Sequence, residues 1–194
     1  MGTTRLEAFS DGVVAILITI MVLELRPPHG AALADLRPLL PVFLSYVLSF
    51  VYLGIYWNNH HHMLHVTRRV NGVVLWSNLL LLFVLSLVPF TTAWMGENHG
   101  AAVPTAIYGL VLLLAAISYV VLQRAILRLE GPRSTLASAI GSDLKGKLSL
   151  LAYALAIPLA FVHAWLSWGL YVAVALTWLV PDRRIERVIA AEEP

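Results

Sequence analysis

The chain contains no cysteine, which removes disulfides, thiolate metal sites and cysteine nucleophiles and leaves the redox compartment open. Charge is scarce: 12% of residues are charged against 59% hydrophobic. The mean hydropathy of +0.80 lies far outside the range of a soluble domain of 194 residues. Internal repeats are missing, and Ser, His and Asp occur without any local hydrolase motif, so an intramembrane enzyme is a poor reading. A cleavable signal peptide is also disfavoured, because Phe9-Ser10-Asp11 places an acid where its apolar core would begin. The first apolar segment is therefore expected to stay in the chain.

What is present is a series of long apolar runs. Crossing a hydrocarbon core of roughly 30 Å takes about 20 helical residues, and backbone groups in lipid must be satisfied within the segment. The expected fold is thus an all-α integral membrane protein. Six segments emerge, at about 5–25, 38–63, 70–94, 101–127, 147–164 and 166–181. They form one membrane domain, 1–181, followed by a short charged tail, 182–194. The first segment stops at Arg26-Pro27-Pro28-His29-Gly30, and 31–37 offers a short helical link before Pro38. The last two are separated only by an aromatic-rich stretch around His163, which reads as a tight hairpin, with one bent or re-entrant segment as the alternative. The six Trp and seven Tyr fall largely near segment ends, where amphipathic rings sit at headgroup level.

The sequence pI of about 9.1 could point to nucleic acid, but the basic residues sit in short loops, so no nucleic-acid partner is expected. Their distribution reads as topology. With six spans, one side receives Arg5, Arg68, Arg69, Arg124, Arg128, Arg133, Lys145, Lys147, Arg183, Arg184 and Arg187, and the other only Arg26 and Arg37. Positive charge marks the cytoplasmic side, so both termini are expected there, in a multi-pass protein of the cytoplasmic membrane. Arg68-Arg69 and Arg183-Arg184 could also meet anionic lipid headgroups, although setting orientation accounts for them.

The first segment is the most polar. With about 100° of turn per residue, Ile16, Thr19, Ile20 and Leu23 share one stripe of a helix. Ser10 and Asp11 fall well off it, while Phe9 and Arg5 lie near its cytoplasmic end. A carboxylate at the membrane edge is costly unless paired or hydrated, so Asp11 marks a polar contact. Its candidate partners are Arg5, Trp76, Asn78 and the run His60-His61-His62. Glu24, near the outer end, reads as a solvated residue paired with Arg26, with a ring of acids that raises local cation concentration as the alternative.

His61 and His65 have the i, i+4 spacing of a metal pair, but without cysteine or a nearby acid the run reads as an interfacial helix end. No metal and no cofactor is expected.

Arg5-x-x-x-Phe9-Ser10-Asp11, followed by an Ile-rich helix with Thr19, resembles the signature of the transmembrane protein 175 family, which contains the lysosomal potassium channel and smaller prokaryotic relatives. The resemblance implies a potassium-preferring cation channel of a prokaryote, with potassium ions and membrane lipid as partners. It implies a homotetramer with the first helix lining a central pore. No Thr-Val-Gly-Tyr-Gly carbonyl filter occurs in this chain. Carried over by position, Ile16, Ile20 and Leu23 would form the pore constriction and Thr19 a hydroxyl ring implicated in selectivity. Arg5, Phe9, Ser10 and Asp11 would brace this helix against neighbours that include Trp76 and Asn78. Two alternatives stay open: a small secondary transporter or proton pathway using Asp11 and His60 to His62, and a non-conducting membrane scaffold.

Overall fold

The computed structural model describes residues 2–132, 134–140 and 143–179, and every element in it is helical. The tail 182–194, with Arg183, Arg184 and Arg187, and also Arg133, lies outside the described residues.

Helix α1 runs Thr3–Val22 and buries Leu6, Ser10, Val14, Leu17 and Met21, one stripe at spacings of three and four. The turn through Pro27 and Pro28 leads to a 3-10 helix at Leu33–Leu39, where the sequence places a helical link. Helix α2, Leu40–His65, starts with Pro41 in its first turn, where the missing N–H costs nothing.

The segment expected as one helix over 70–94 is broken. Helix α3 covers Gly72–Leu85 and α4 covers Val88–Glu97. Pro89 is the physical reason: it has no N–H for the Leu85 carbonyl, and its ring clashes with the preceding turn. The Ser86 hydroxyl adds a 2.6 Å bond to the Phe83 carbonyl. At the other end the Asn71 side chain caps α3 by accepting from the Val74 N–H at 2.9 Å.

Helix α5, Ala102–Glu130, is the central strut and packs on α3, α4, α7 and α8. The short α6 spans Thr135–Ile140. Helices α7, Leu144–Val162, and α8, Ala164–Leu179, are joined at His163 and fold back on each other. The Ser167 hydroxyl reaches the Ala156 carbonyl at 2.6 Å, and Trp178 Nε1 reaches Ser149 Oγ at 2.8 Å. That antiparallel pairing makes α7 and α8 a helical hairpin and not one continuous bent helix.

Among the described residues, four stretches are long and apolar enough to cross a membrane: Leu33–His65, Gly72–Glu97, Ala102–Glu130 and Leu144–Val162. This is fewer than the six expected. Helix α8 has 16 residues, and α1 carries three charged side chains, Arg5, Glu7 and Asp11, in its first half.

Two apolar cores fill the bundle. One joins α1, α2, α3 and α5, including Leu17, Leu53, Leu81 and Leu122. The other lies among α2, α4, α5, α7 and α8 around Tyr52, Tyr108, Tyr153 and Tyr171. The tyrosine hydroxyls are bonded there: Tyr108 to Ser49 at 2.9 Å, Tyr52 to the Tyr171 carbonyl at 2.6 Å, and Tyr171 to the Thr105 carbonyl at 3.0 Å. A buried hydroxyl without a partner would be expensive in this setting.

Gly109 allows α5 and α8 to meet, because a Cβ there would collide with the Tyr171 hydroxyl. Gly109→Ala is therefore expected to displace Tyr171, break its bond to Thr105 and destabilise the fold by about 1–3 kcal/mol. A lowered melting temperature in detergent, with the helical circular dichroism at low temperature intact, is the measurement that checks it.

Candidate functional site

The site is built on α1 and the ends of α2 and α3. Ser10 is fully buried; its hydroxyl donates to the Leu6 carbonyl at 2.8 Å and accepts from Asn78 Nδ2 at 3.0 Å. Asn78 is buried in turn, and its Oδ1 lies 2.7 Å from His60 Nε2. The result is a closed chain of polar groups, Ser10–Asn78–His60, tying α1 to α3 and α2 in an apolar surround.

A second contact set lies beside it. Asp11 Oδ1 accepts from Trp57 Nε1 at 3.0 Å. Glu7 Oε1 lies 2.9 Å from His61 Nδ1, within ion-pair distance but not hydrogen-bonded. Asp11 is thus held by Trp57, which was not among its expected partners. Asn78 serves Ser10 and His60 instead. The expectation that no acid lies near the histidine run is corrected by Glu7, brought to His61 by the packing of α1 on α2.

Other expected members stand elsewhere. Arg5 and Phe9 are exposed, and among the described residues Arg5 forms no ion pair. Trp76 is 75% exposed and has no hydrogen-bond partner among the described residues. Glu24 is exposed and does not pair with Arg26 through its carboxylate; Arg26 N–H bonds the Glu24 backbone carbonyl at 3.0 Å.

The face of α1 opposite its buried stripe is uncovered in the single chain. Ile16 is 57% exposed, Ile20 42% and Leu23 75%, and Thr19 lies exposed between them. The Thr19 hydroxyl donates back into its own helix, toward the Ile16 carbonyl at 2.9 Å and the Ala15 carbonyl at 3.0 Å. Its proton is committed to the backbone, so the oxygen lone pairs are what it offers outward.

An all-helical bundle with four stretches long and apolar enough to cross a membrane has the form of a multi-pass membrane protein. The model for the endosomal/lysosomal potassium channel TMEM175 matches residues 5–89. The chain is 52% identical over 187 residues to a potassium channel of Chryseobacterium sp. (strain P1-3), covering 96% of this chain and 97% of that one. A potassium channel of Streptomyces collinus is 34% identical, over 89% of each. The crystal structure of a lysosomal potassium-selective channel TMEM175 homolog from Chamaesiphon minutus superposes with a TM-score of 0.80 at 30% identity, covering 93% of this chain and 97% of that one. The human endosomal/lysosomal proton channel TMEM175 is 36% identical over 97 residues, 43% of this chain and 19% of its own length. The chain belongs to the TMEM175 family: it is an ion channel and not an enzyme.

Two members of the contact sets, Glu7 and Trp57, escaped sequence reasoning. The signal for Glu7 was available in its i, i+4 relation to Asp11, which places both carboxylates on one face of α1.

Proposed function

We propose that the chain is a potassium-preferring channel in which four copies surround a pore lined by α1, with Ile16 as the gate. The observation that carries this reading is the uncovered stripe Ile16, Thr19, Ile20 and Leu23, opposite a face of α1 that is already packed. One such helix encloses no path, so the reading requires a homotetramer. The relatives named potassium channels support potassium as the permeant ion.

A ring of isoleucine side chains narrow enough to exclude water gates by dewetting, because a cation crossing it loses hydration with nothing to replace it. Ile20 and Leu23 add further apolar layers. Preference for potassium then follows from its lower dehydration cost, helped by a ring of Thr19 oxygens whose lone pairs face the ion. No carbonyl filter takes part. In this reading both termini are cytoplasmic, α1 and α8 complete six spans, 1–181 is the membrane domain in the cytoplasmic membrane with lipid around it, and conduction needs no cofactor. The positive ends gather accordingly: the Arg68 and Arg69 N–H groups bond Glu130 Oε1 at 3.0 and 2.9 Å, so the α2–α3 loop and the end of α5 lie together.

A proton pathway is the second reading. It rests on the polar chain Ser10–Asn78–His60 beside Asp11, and on the proton-channel name of the vertebrate relatives. Purified protein in liposomes with opposed potassium and sodium gradients separates the two. Potassium flux exceeding sodium flux is the expected result. Proton flux lost in Asp11→Asn, with no potassium current, would replace the first reading by the second. Thr19→Ala is expected to keep conduction and reduce the potassium-to-sodium permeability ratio several-fold, roughly 1 kcal/mol of discrimination. An unchanged ratio would remove the hydroxyl ring from the account.

A further inference from the structure

We propose that Glu7, Asp11 and His61 form a binding site for one divalent transition-metal cation of the zinc class per chain, tying the base of α1 to α2. The three side chains each present a ligand atom, and all of these atoms lie within 4.8 Å of one another. The closest pair, Glu7 Oε1 and His61 Nδ1, is 2.9 Å apart. Two ligands bound to one zinc ion at about 2.1 Å, subtending 90° to 109°, sit roughly 3.0–3.4 Å apart, so this pair already stands close to the spacing of two atoms on one ion.

The nitrogen itself points to a ligand. The His61 side chain is 39% exposed, but its Nδ1 is turned inward, shut off from solvent and without a hydrogen-bond partner, with a Glu7 carboxylate oxygen against it. A shared cation satisfies both atoms at once. The imidazole is also held in place, stacked on Trp57 at 5.9 Å between centroids and on His65 at 6.1 Å, both at 26°. Trp57 further holds Asp11 through Oδ1, which leaves the other carboxylate oxygen available. Glu7 and Asp11 are four residues apart on α1 and share a face. Contacts of this kind to the ligating side chains fix their orientation toward a metal.

Charge and chemistry select the ion. Two carboxylates meet here, and among the described residues no Arg or Lys lies within ion-pair distance of either. A divalent cation neutralises them. One imidazole with two carboxylates suits zinc and its neighbours, whereas calcium and magnesium prefer all-oxygen sites. Three protein ligands leave a fourth position for water.

The site stands independently of whether α1 lines a pore, so its test does not use flux. Zinc chloride is titrated calorimetrically into the full chain in detergent, in buffer without chelating components. The expected result is one saturable site per chain, weakened by about tenfold or more in both Glu7→Gln and His61→Gln. Magnesium in roughly hundredfold excess is expected not to compete. No saturable binding, wild-type affinity in both variants, or displacement by magnesium would each overturn the proposal. Should the variants fail to elute as folded protein, X-ray absorption of the zinc-loaded wild type decides. One imidazole among oxygen ligands supports the site; two or more imidazoles would move the metal to the His61–His65 pair and sink it.

Discussion

Replacing Ile16 with asparagine is expected to raise resting potassium flux by on the order of tenfold or more, equivalent to about 1.4 kcal/mol or more off the permeation barrier. The direction follows from what an apolar side chain does at a constriction of the kind proposed for Ile16. An apolar ring expels water, and the barrier to an ion is the hydration it must surrender there. An amide in each chain supplies donors and acceptors, so water re-enters and the ion keeps part of its shell. Ile16 is 57% exposed on α1 and does not belong to the buried stripe, so the substitution leaves the packing of the chain itself intact. That separates it from variants that act through stability. The proteoliposome assay reads the result directly, with Ile16→Val as a control that stays apolar and should remain near wild type. Flux unchanged in Ile16→Asn would remove this residue from the gate. Flux lost, in folded protein that no longer elutes at the wild-type size, would place Ile16 in an assembly contact instead.

The sequence stripe and the structural one coincide on α1 because helical period alone decides which side chains share a face. Ile16, Thr19, Ile20 and Leu23 lie together for that reason, and Ser10 lies with Leu6, Val14 and Leu17 on the other side. Periodicity could not say which of two apolar faces the rest of the chain would cover. That depends on α2 and α3, whose facing residues are not adjacent in sequence. For the same reason Asp11 found Trp57, forty-six positions away, rather than Arg5 six positions away. The break after Leu85 was legible in principle, since Pro89 stood in plain view within the third apolar run. It was hidden by hydropathy, which stays high straight through the bend. The hairpin at His163 was legible only as one of two alternatives, because the aromatic stretch around it is as apolar as its flanks and nothing local shows that a single extended residue ends α7.

The second large effect concerns the brace rather than the gate. Asn78→Leu is expected to destabilise the folded chain by about 1–3 kcal/mol and to loosen α1 from α3. Asn78 is buried and makes two interhelical bonds, 3.0 Å to Ser10 and 2.7 Å to His60. Such bonds in membrane bundles average well under 1 kcal/mol each, so the bonds themselves do not set the upper end of the range. What sets it is the partner left behind. Ser10 keeps its bond to the Leu6 carbonyl, but His60 is buried and would lose the only side chain bonded to it among the described residues. An unsatisfied imidazole nitrogen in an apolar surround costs the full desolvation of that group. Ser10→Ala removes two bonds, but the Leu6 carbonyl lies in the helix ladder and only one N–H of Asn78 is stranded, so its cost should be clearly smaller. A double-mutant cycle between Ser10→Ala and Asn78→Leu, read by thermal unfolding in detergent, therefore has a defined expectation: the double variant is no less stable than Asn78→Leu alone. Strict additivity of the two losses would show that Ser10 and Asn78 act separately, and that the polar chain does not work as one brace on the first helix.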